Sequence, residues 1–234
     1  MKNDKNLEKD RIEYVYQEYL SNKKVLKKWS NKNIGNQISL EERHNIVKGF
    51  FIKNNFDIKN NKILDLGCAG GNFTGTLLDI GARKKNITGI DIRKNSIKNA
   101  VKSFPGICFK LMDARQLKFP KNSFDCIIIF TLFSSVLDSN DRKRIAIEAK
   151  RVLKSNGLII YYDLRYYNPF NRNIIGLNKK EIFRIFPGME IEYSKTTLIP
   201  PIARNLGIIT SILYPVLTKI SFLKSHFLCV IKKK

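Results

Sequence analysis

The chain has 234 residues, with 43 Lys or Arg against 20 Asp or Glu, for a formal net charge of +23. That length suits one α/β domain with modest appendages. The basic residues recur in every segment rather than along one face, so nucleic acid is only a secondary candidate partner. Four scattered cysteines, Cys68, Cys108, Cys126 and Cys229, have no C-x-x-C spacing and argue against a zinc site or a disulfide framework, so no metal is expected.

The first residues, Met1-Lys2-Asn3-Asp4-Lys5, are charged with no apolar run behind them. No secretory signal is expected, and the predicted location is cytoplasmic, with contact at the inner face of a membrane as an option. Residues 7–29 space Ile12, Val15, Tyr16, Tyr19, Leu20, Leu26 and Trp29 at mostly helical intervals, which predicts one or two amphipathic helices. A polar loop over 30–37 follows. Ser39-Leu40-Glu41-Glu42 then reads as a capping box opening a helix over 40–53. His44 rides on that helix and is one candidate proton acceptor for catalysis. Residues 1–58 are read together as an N-terminal helical cap.

From Lys62 the pattern becomes strand, helix, strand, helix. Apolar runs at 62–66, 86–91 and 107–112 alternate with helical stretches near 71–81 and 93–104, which demands a parallel sheet with right-handed crossovers. The first run ends in Asp65 and breaks into Gly67, Gly70 and Gly71, the composition of a tight turn whose backbone lies against a ligand at a helix start. Asp91 closes the second run about 20 residues later, where a carboxylate can accept both hydroxyls of a ribose. Asp113 follows the third run and is succeeded by the small Ala114, so a base edge bearing an amino group could meet it there. A dinucleotide is disfavoured, because a pyrophosphate wants no nearby carboxylate and position 69 is Ala instead of the second glycine of G-x-G-x-x-G. An adenosyl ligand with an amino-acid tail brings an ammonium for Asp65 and a carboxylate for the turn amides. S-adenosylmethionine meets these demands.

Residues 124–131 form an apolar, β-branched run typical of a strand buried on both faces, and its end at Phe130 should border the reaction site. A helix over 139–153, a turn at Asn156-Gly157 and a strand over 158–163 are expected next. The strand ends in Asp163, a second candidate proton acceptor. Beyond it lies a polar, aromatic and basic loop in which Arg165, Tyr166, Asn168 and Arg172 are candidate acceptor-binding residues. Asn178 to Glu181 caps a short helix; strands are expected over 189–197 and 226–231, with His226 structural. The most apolar stretch, 206–223, contains Pro215 and Lys219 and so does not read as a membrane span. It is either a helix packed over the sheet or an apolar cover touching a membrane or a lipid-linked acceptor.

Leu64-Asp65-Leu66-Gly67-Cys68-Ala69-Gly70-Gly71 resembles the first motif of the class I S-adenosylmethionine-dependent methyltransferases, hydrophobic-Asp-hydrophobic-Gly-Cys-Gly-x-Gly, with Ala69 as the departure. The resemblance continues through Thr88-Gly89-Ile90-Asp91-Ile92, Met112-Asp113-Ala114 and Phe119 to Asp125. It implies a Rossmann-like, seven-stranded, mostly parallel sheet of order 3-2-1-4-5-7-6 with helices on both faces. It places Asp65, Gly67, Ala69 and Gly71 at the methionine part of the cofactor, Asp91 and Ile92 at the ribose, Asp113 and Ala114 at the adenine, and Phe130 beside them. It further implies a methyltransferase domain over 59–234, with substrate insertions at 164–186 and 199–223. A looser resemblance over 164–222, to methyltransferases encoded among bacterial surface-polysaccharide enzymes, implies a small-molecule, sugar or lipid-linked glycan acceptor, ahead of a nucleic acid, a quinone-like lipid or a protein. The rival reading is a non-catalytic S-adenosylmethionine-binding module, for which Ala69 is the only support.

Overall fold

The computed structural model describes residues 4–30 and 32–233. They form two compact units. One comprises Lys48–Ser194 with Leu228–Lys234, the other Met1–Val47 with Lys195–Phe227.

The sheet has seven strands: β1 Ile63–Leu66, β2 Ile87–Asp91, β3 Cys108–Leu111, β4 Phe124–Phe130, β5 Leu153–Leu164, β6 Met189–Leu198 and β7 Lys224–Lys233. Their order is β3-β2-β1-β4-β5-β7-β6, as the resemblance implies. The first five are parallel, with Asp65 of β1 level with Gly89 of β2 and Ile128 of β4. Every residue of β1 is buried, and β4 is buried but for Asp125, which explains their unbroken apolar sequences. The crossovers run through α4 Asn72–Asp79, α5 Lys94–Ser103 and α6 Ser139–Val152. The capping box expected at α7 Lys179–Ile185 is present, with Asn178 and Glu181 each bonded to the other's backbone N–H.

One boundary differs from expectation. Asn156-Gly157 is not a turn between helix and strand; β5 runs through it from Leu153, and its pairing with β4 slips register between Phe124 and Cys126. At that irregularity a Cβ on Gly157 would lie 2.6 Å from Leu153 Cδ1 and 2.9 Å from the Asp125 carbonyl oxygen. The glycine therefore serves close backbone approach within a strand.

Further along β5, Tyr161 is fully buried against Phe133 and Phe186, yet among the described residues its hydroxyl has no hydrogen-bond partner. A buried, unsatisfied hydroxyl is costly, and Phe has the same ring without it. Tyr161→Phe is therefore expected to stabilise the protein by about 1 kcal/mol. A lowered midpoint in thermal unfolding would show that the hydroxyl has a partner after all.

The second unit holds α1 Asp4–Ser21 and α2 Lys23–Trp29, the latter capped by the Asn22 side chain, which accepts from the N–H groups of Lys24 and Val25. Helix α3, Ile34–Lys53, starts five residues before the expected capping box. Ser39 lies inside it and donates to the Gly35 carbonyl oxygen at 2.7 Å. Glu42 caps nothing; its carboxylate accepts from Thr197 N–H at 3.0 Å and from the Tyr214 hydroxyl at 2.8 Å. Two long-range partners outcompete the local cap. Helices α8 Pro200–Asn205 and α9 Thr210–Leu217 complete the unit around Leu198, Ala203 and Tyr214. His226 is buried there with Nδ1 2.8 Å from Ser225 Oγ, and burial, reinforced by Arg43 and Arg204, pushes its pKa down to about 3. It is a neutral, structural histidine, as expected. Among the described residues, no helix is long and apolar enough to cross a membrane.

Candidate cofactor site at the strand ends

The turn after β1 is built on left-handed backbone. Gly67 has φ +77°, Ala69 φ +49° and Gly71, which precedes α4, φ +81°. A Cβ at Gly67 would sit 3.0 Å from Leu132 Cδ1, and one at Gly71 3.0 Å from the Phe104 ring, so both glycines serve conformation and space together. Ala69 carries its methyl group in the same left-handed region, at a cost of roughly 1 kcal/mol or more. Ala69→Gly removes that strain but adds the backbone entropy of a glycine, about 0.5–1 kcal/mol. The unfolding midpoint is therefore expected to stay nearly constant; a drop of many degrees would mean the methyl group contributes packing.

Asp65 is buried beneath this turn and accepts from Thr74 Oγ1 at 2.5 Å. Burial pushes its pKa up to about 7, the Thr74 hydrogen bond opposes the shift, and Asp91 adds to it. Near neutrality the carboxyl is thus poised between its two protonation states, and a cation beside it would settle it as a carboxylate.

Asp91 and Asp113 share one local device. In Asp91-Ile92-Arg93, Oδ1 accepts from Arg93 N–H at 2.8 Å and from Nε at 3.1 Å, while Oδ2 accepts from Nη2 at 3.2 Å. In Asp113-Ala114-Arg115, Oδ1 accepts from Arg115 N–H at 2.8 Å and from Nε at 3.1 Å, and Oδ2 from Nη2 at 2.7 Å. Each carboxylate is clasped by the arginine two residues on. Asp91 Oδ2 also accepts from Ala69 N–H at 2.9 Å, which ties the end of β2 to the turn after β1. A carboxylate offers about four acceptor positions. Asp91 already uses four, two of them on the Arg93 guanidinium. Arg115 reaches further and pairs with Asp141 of α6 at 2.6 Å. Glu148 and Arg151 of the same helix hold the backbone of Leu117 and Phe119, so the segment after β3 is strapped to α6.

At the end of β4, Phe130 lies against Phe73 of α4, ring centroids 4.0 Å apart, and against Tyr162 of β5 at 5.2 Å. The chain then turns at Thr131, a β-branched residue held at φ +50° whose N–H donates to the Tyr162 carbonyl oxygen at 2.7 Å. Asp163 does not face open space as its expected role requires. It is fully buried, and its carboxylate accepts from Ser134 N–H at 3.0 Å and from Leu164 N–H at 2.8 Å. Burial raises its pKa to about 6, against the opposing Ser134 hydrogen bonds. It clips the turn after β4 onto the end of β5.

The segment after β5 folds back on itself. Ile175 N–H donates to the Ser134 carbonyl oxygen and Leu177 N–H to that of Leu164, at 2.9 and 2.8 Å. Asn168 uses its side chain within the loop, accepting from Phe170 N–H. The Arg165 guanidinium lies 4.3 Å from the Tyr166 ring centroid, and Arg172 is exposed. His44 stands on α3 and is partly exposed.

Arg93, Arg115, Phe73 and Tyr162 escaped the sequence reading. The repeated Asp-x-Arg spacing was a usable signal for the first two; for the rings no local signal exists, because their meeting depends on strand register.

Residues 64–161 match the family described as "Methyltransferase domain". The chain is 32% identical over 122 residues to a ubiquinone biosynthesis O-methyltransferase of Pelagibacter ubique, covering 50% of this chain and 48% of that protein. It is also 32% identical over 108 residues to a demethylmenaquinone methyltransferase of Thermotoga maritima, covering 46% and 45%. The chain thus spans about half the length of these curated relatives. Among solved structures, an S-adenosylmethionine-dependent methyltransferase from Clostridium acetobutylicum superimposes with a TM-score of 0.62 at 14% identity, over 83% of this chain and 92% of that one. The central part of the chain, 64–161, is thus similar to a methyltransferase family, and the superposition shows a shared Rossmann-like fold.

Proposed function

We propose that the chain binds S-adenosylmethionine at the strand ends of the sheet and transfers its methyl group to a small molecule, with a quinone-type aromatic ring ahead of a glycan. The observation that carries this reading is the row of Asp65, Asp91 and Asp113 at or just beyond the ends of three adjacent parallel strands, beside a turn with left-handed backbone at Gly67, Ala69 and Gly71. The residues fit the cofactor: Asp65 would hold its ammonium, the backbone at Gly67, Ala69 and Gly71 its methionine part, Asp91 with Ile92 its ribose, and Asp113 with Ala114 its adenine amino group. Bound there, the cofactor supplies a methyl group on a positively charged sulfur, already activated for in-line displacement.

The protein's own contribution is alignment, which can supply roughly 7–11 kcal/mol when reactants are held in attack geometry. Phe73, Phe130 and Tyr162 pack on one another and shape this end of the sheet, and Arg165, Tyr166, Asn168 and Arg172 are the acceptor-binding candidates on the neighbouring loop. Asp163 acts here as a positioning residue for the turn after β4. For a hydroxyl acceptor, His44 is retained as the candidate proton acceptor. The names of the two relatives support the quinone-type ring; the glycan acceptor rests on the looser resemblance alone.

Release of S-adenosylhomocysteine, measured with a panel of hydroxylated or unsubstituted quinone-type rings beside sugar acceptors, tests the assignment. Turnover on a ring and not on sugars is expected. Calorimetric binding of the cofactor with no release on any acceptor would favour the binding module.

A further inference from the structure

Among the described residues, the apolar stretch after α8 has an exposed outward face. Within its own unit, α9 buries Thr210 and Tyr214, and Leu206, Leu217 and Leu223 pack on the core around Leu198 and Ala203. The opposite face is also apolar. Ile208, Ile212 and Val216, spaced by four residues so that they share one side, are 86%, 71% and 55% exposed, and Phe222 is 68% exposed. An ordinary surface helix would carry charged or polar residues there.

The charges around this face have one sign. No Asp or Glu occurs after Glu192, while Lys195, Arg204, Lys219 and Lys224 fall within Lys195–Phe227. Lys195 and Lys219 are exposed, and Lys195 Nζ donates to Ser221 Oγ at 2.7 Å, at the border of the patch. Helix α2 repeats the chemistry in the same unit. It has no buried residue and exposes Lys23, Lys24, Lys27 and Lys28 beside Leu26 and Trp29. Asn36 holds the two regions together: its amide donates to the carbonyl oxygens of Lys28 and Ser30 at 2.7 and 2.9 Å, and its Oδ1 accepts from Arg204 Nε at 2.8 Å.

We propose that this face is a docking surface for an anionic lipid bilayer. Ile208, Ile212, Val216 and Phe222 enter the boundary between head groups and acyl chains, while Lys27, Lys28 and Lys219 meet lipid phosphates. Large exposed apolar patches mark interaction sites, and here charge decides the occupant. In a second copy of the chain, the same patch would bring cations against cations with no carboxylate in the segment to offset them, because a two-fold interface pairs a surface with itself. A bilayer carrying negative head groups offers both an apolar layer and the opposite charge. The inference stands on this unit's own side chains, whatever the methyl acceptor is.

Sedimentation of the full chain with vesicles tests it. Binding to phosphatidylcholine vesicles containing phosphatidylglycerol is expected to exceed binding to pure phosphatidylcholine by about tenfold, and to fall severalfold when added salt shortens the screening length. Ile208→Glu/Ile212→Glu and, separately, Phe222→Ser alter exposed positions, so both should weaken binding with the unfolding midpoint unchanged. Failure to sediment with anionic vesicles overturns the proposal, as does binding that neither variant weakens. A concentration-dependent dimer in ultracentrifugation, dissolved by the double substitution, would also overturn it by assigning the face to a second copy.

Discussion

Asp91→Ala is expected to weaken S-adenosylmethionine binding by about 2–3 kcal/mol, roughly thirty- to a hundredfold or more in Kd, whereas Arg93→Ala tightens it severalfold. The opposite signs follow from the clasp. Asp91 accepts from Ala69 N–H, from Arg93 N–H and from two guanidinium nitrogens, which occupies its acceptor positions. A ribose can be held only if the guanidinium gives up its share. Removing the Arg93 side chain frees two positions on the carboxylate while the two backbone donors still aim it. Removing the carboxylate instead eliminates the ribose contact, releases the turn at Ala69 and takes the Asp91 ion pair from a largely buried guanidinium, 11% exposed. Asp91→Ala should therefore also lower stability. Calorimetric titration of both variants beside the parent checks the pair of signs. If Arg93→Ala costs as much affinity as Asp91→Ala, the arginine orients the carboxylate for the ligand, and the competition argued here is wrong.

Raising the pH from about 5 to 7 is expected to strengthen cofactor binding by up to tenfold per unit, levelling off near the Asp65 pKa of about 7, and Asp65→Asn to flatten that rise. An ammonium beside Asp65 selects the ionised form, so below pH 7 binding must first expel a proton. Stability of the unliganded protein has the opposite slope. Asp65 has a folded-state pKa raised above its unfolded value of about 3.8, so the folded chain holds the extra proton between those limits. Its contribution to stability is complete in acid and is lost as pH rises through about 7. Asp163, raised to about 6, adds to the loss with the same sign. Melting temperatures of the free protein should therefore carry a declining contribution from these groups over the range in which affinity climbs. Affinity independent of pH, with Asp65→Asn binding as well as the parent, would remove Asp65 from the cofactor site.

Some of this was determined by the sequence alone. The alternation of short apolar runs with helical stretches dictated a parallel sheet, in which β1 and β2 are buried strands while β3, at the sheet edge, is largely exposed. The glycines after Asp65 dictated a turn with left-handed backbone, and Gly67 and Gly71 adopt it. Asn178 and Glu181 dictated a helix start. These are local properties, set by side-chain periodicity and by which residues tolerate positive φ, and they need no distant partner.

Tertiary structure decided the rest. Ser39 and Glu42 have the spacing of a capping box, yet Glu42 bonds to Thr197 and Tyr214, and α3 starts at Ile34. Asn156-Gly157 has the composition of a turn, but pairing with β4 draws it into β5, where Gly157 fits close against Asp125. Asp163 looked like an accessible acid at a strand end and is instead sealed by Ser134 and Leu164. The stretch 206–223 read first as core, with an apolar cover as the alternative; folding buries Tyr214 and leaves Ile208, Ile212 and Val216 exposed. In every case a polar or apolar group had two ways to be satisfied, one local and one supplied by residues distant in the chain. A buried long-range contact removes more surface from water and leaves fewer polar groups unpaired, so the choice belongs to packing and not to sequence spacing.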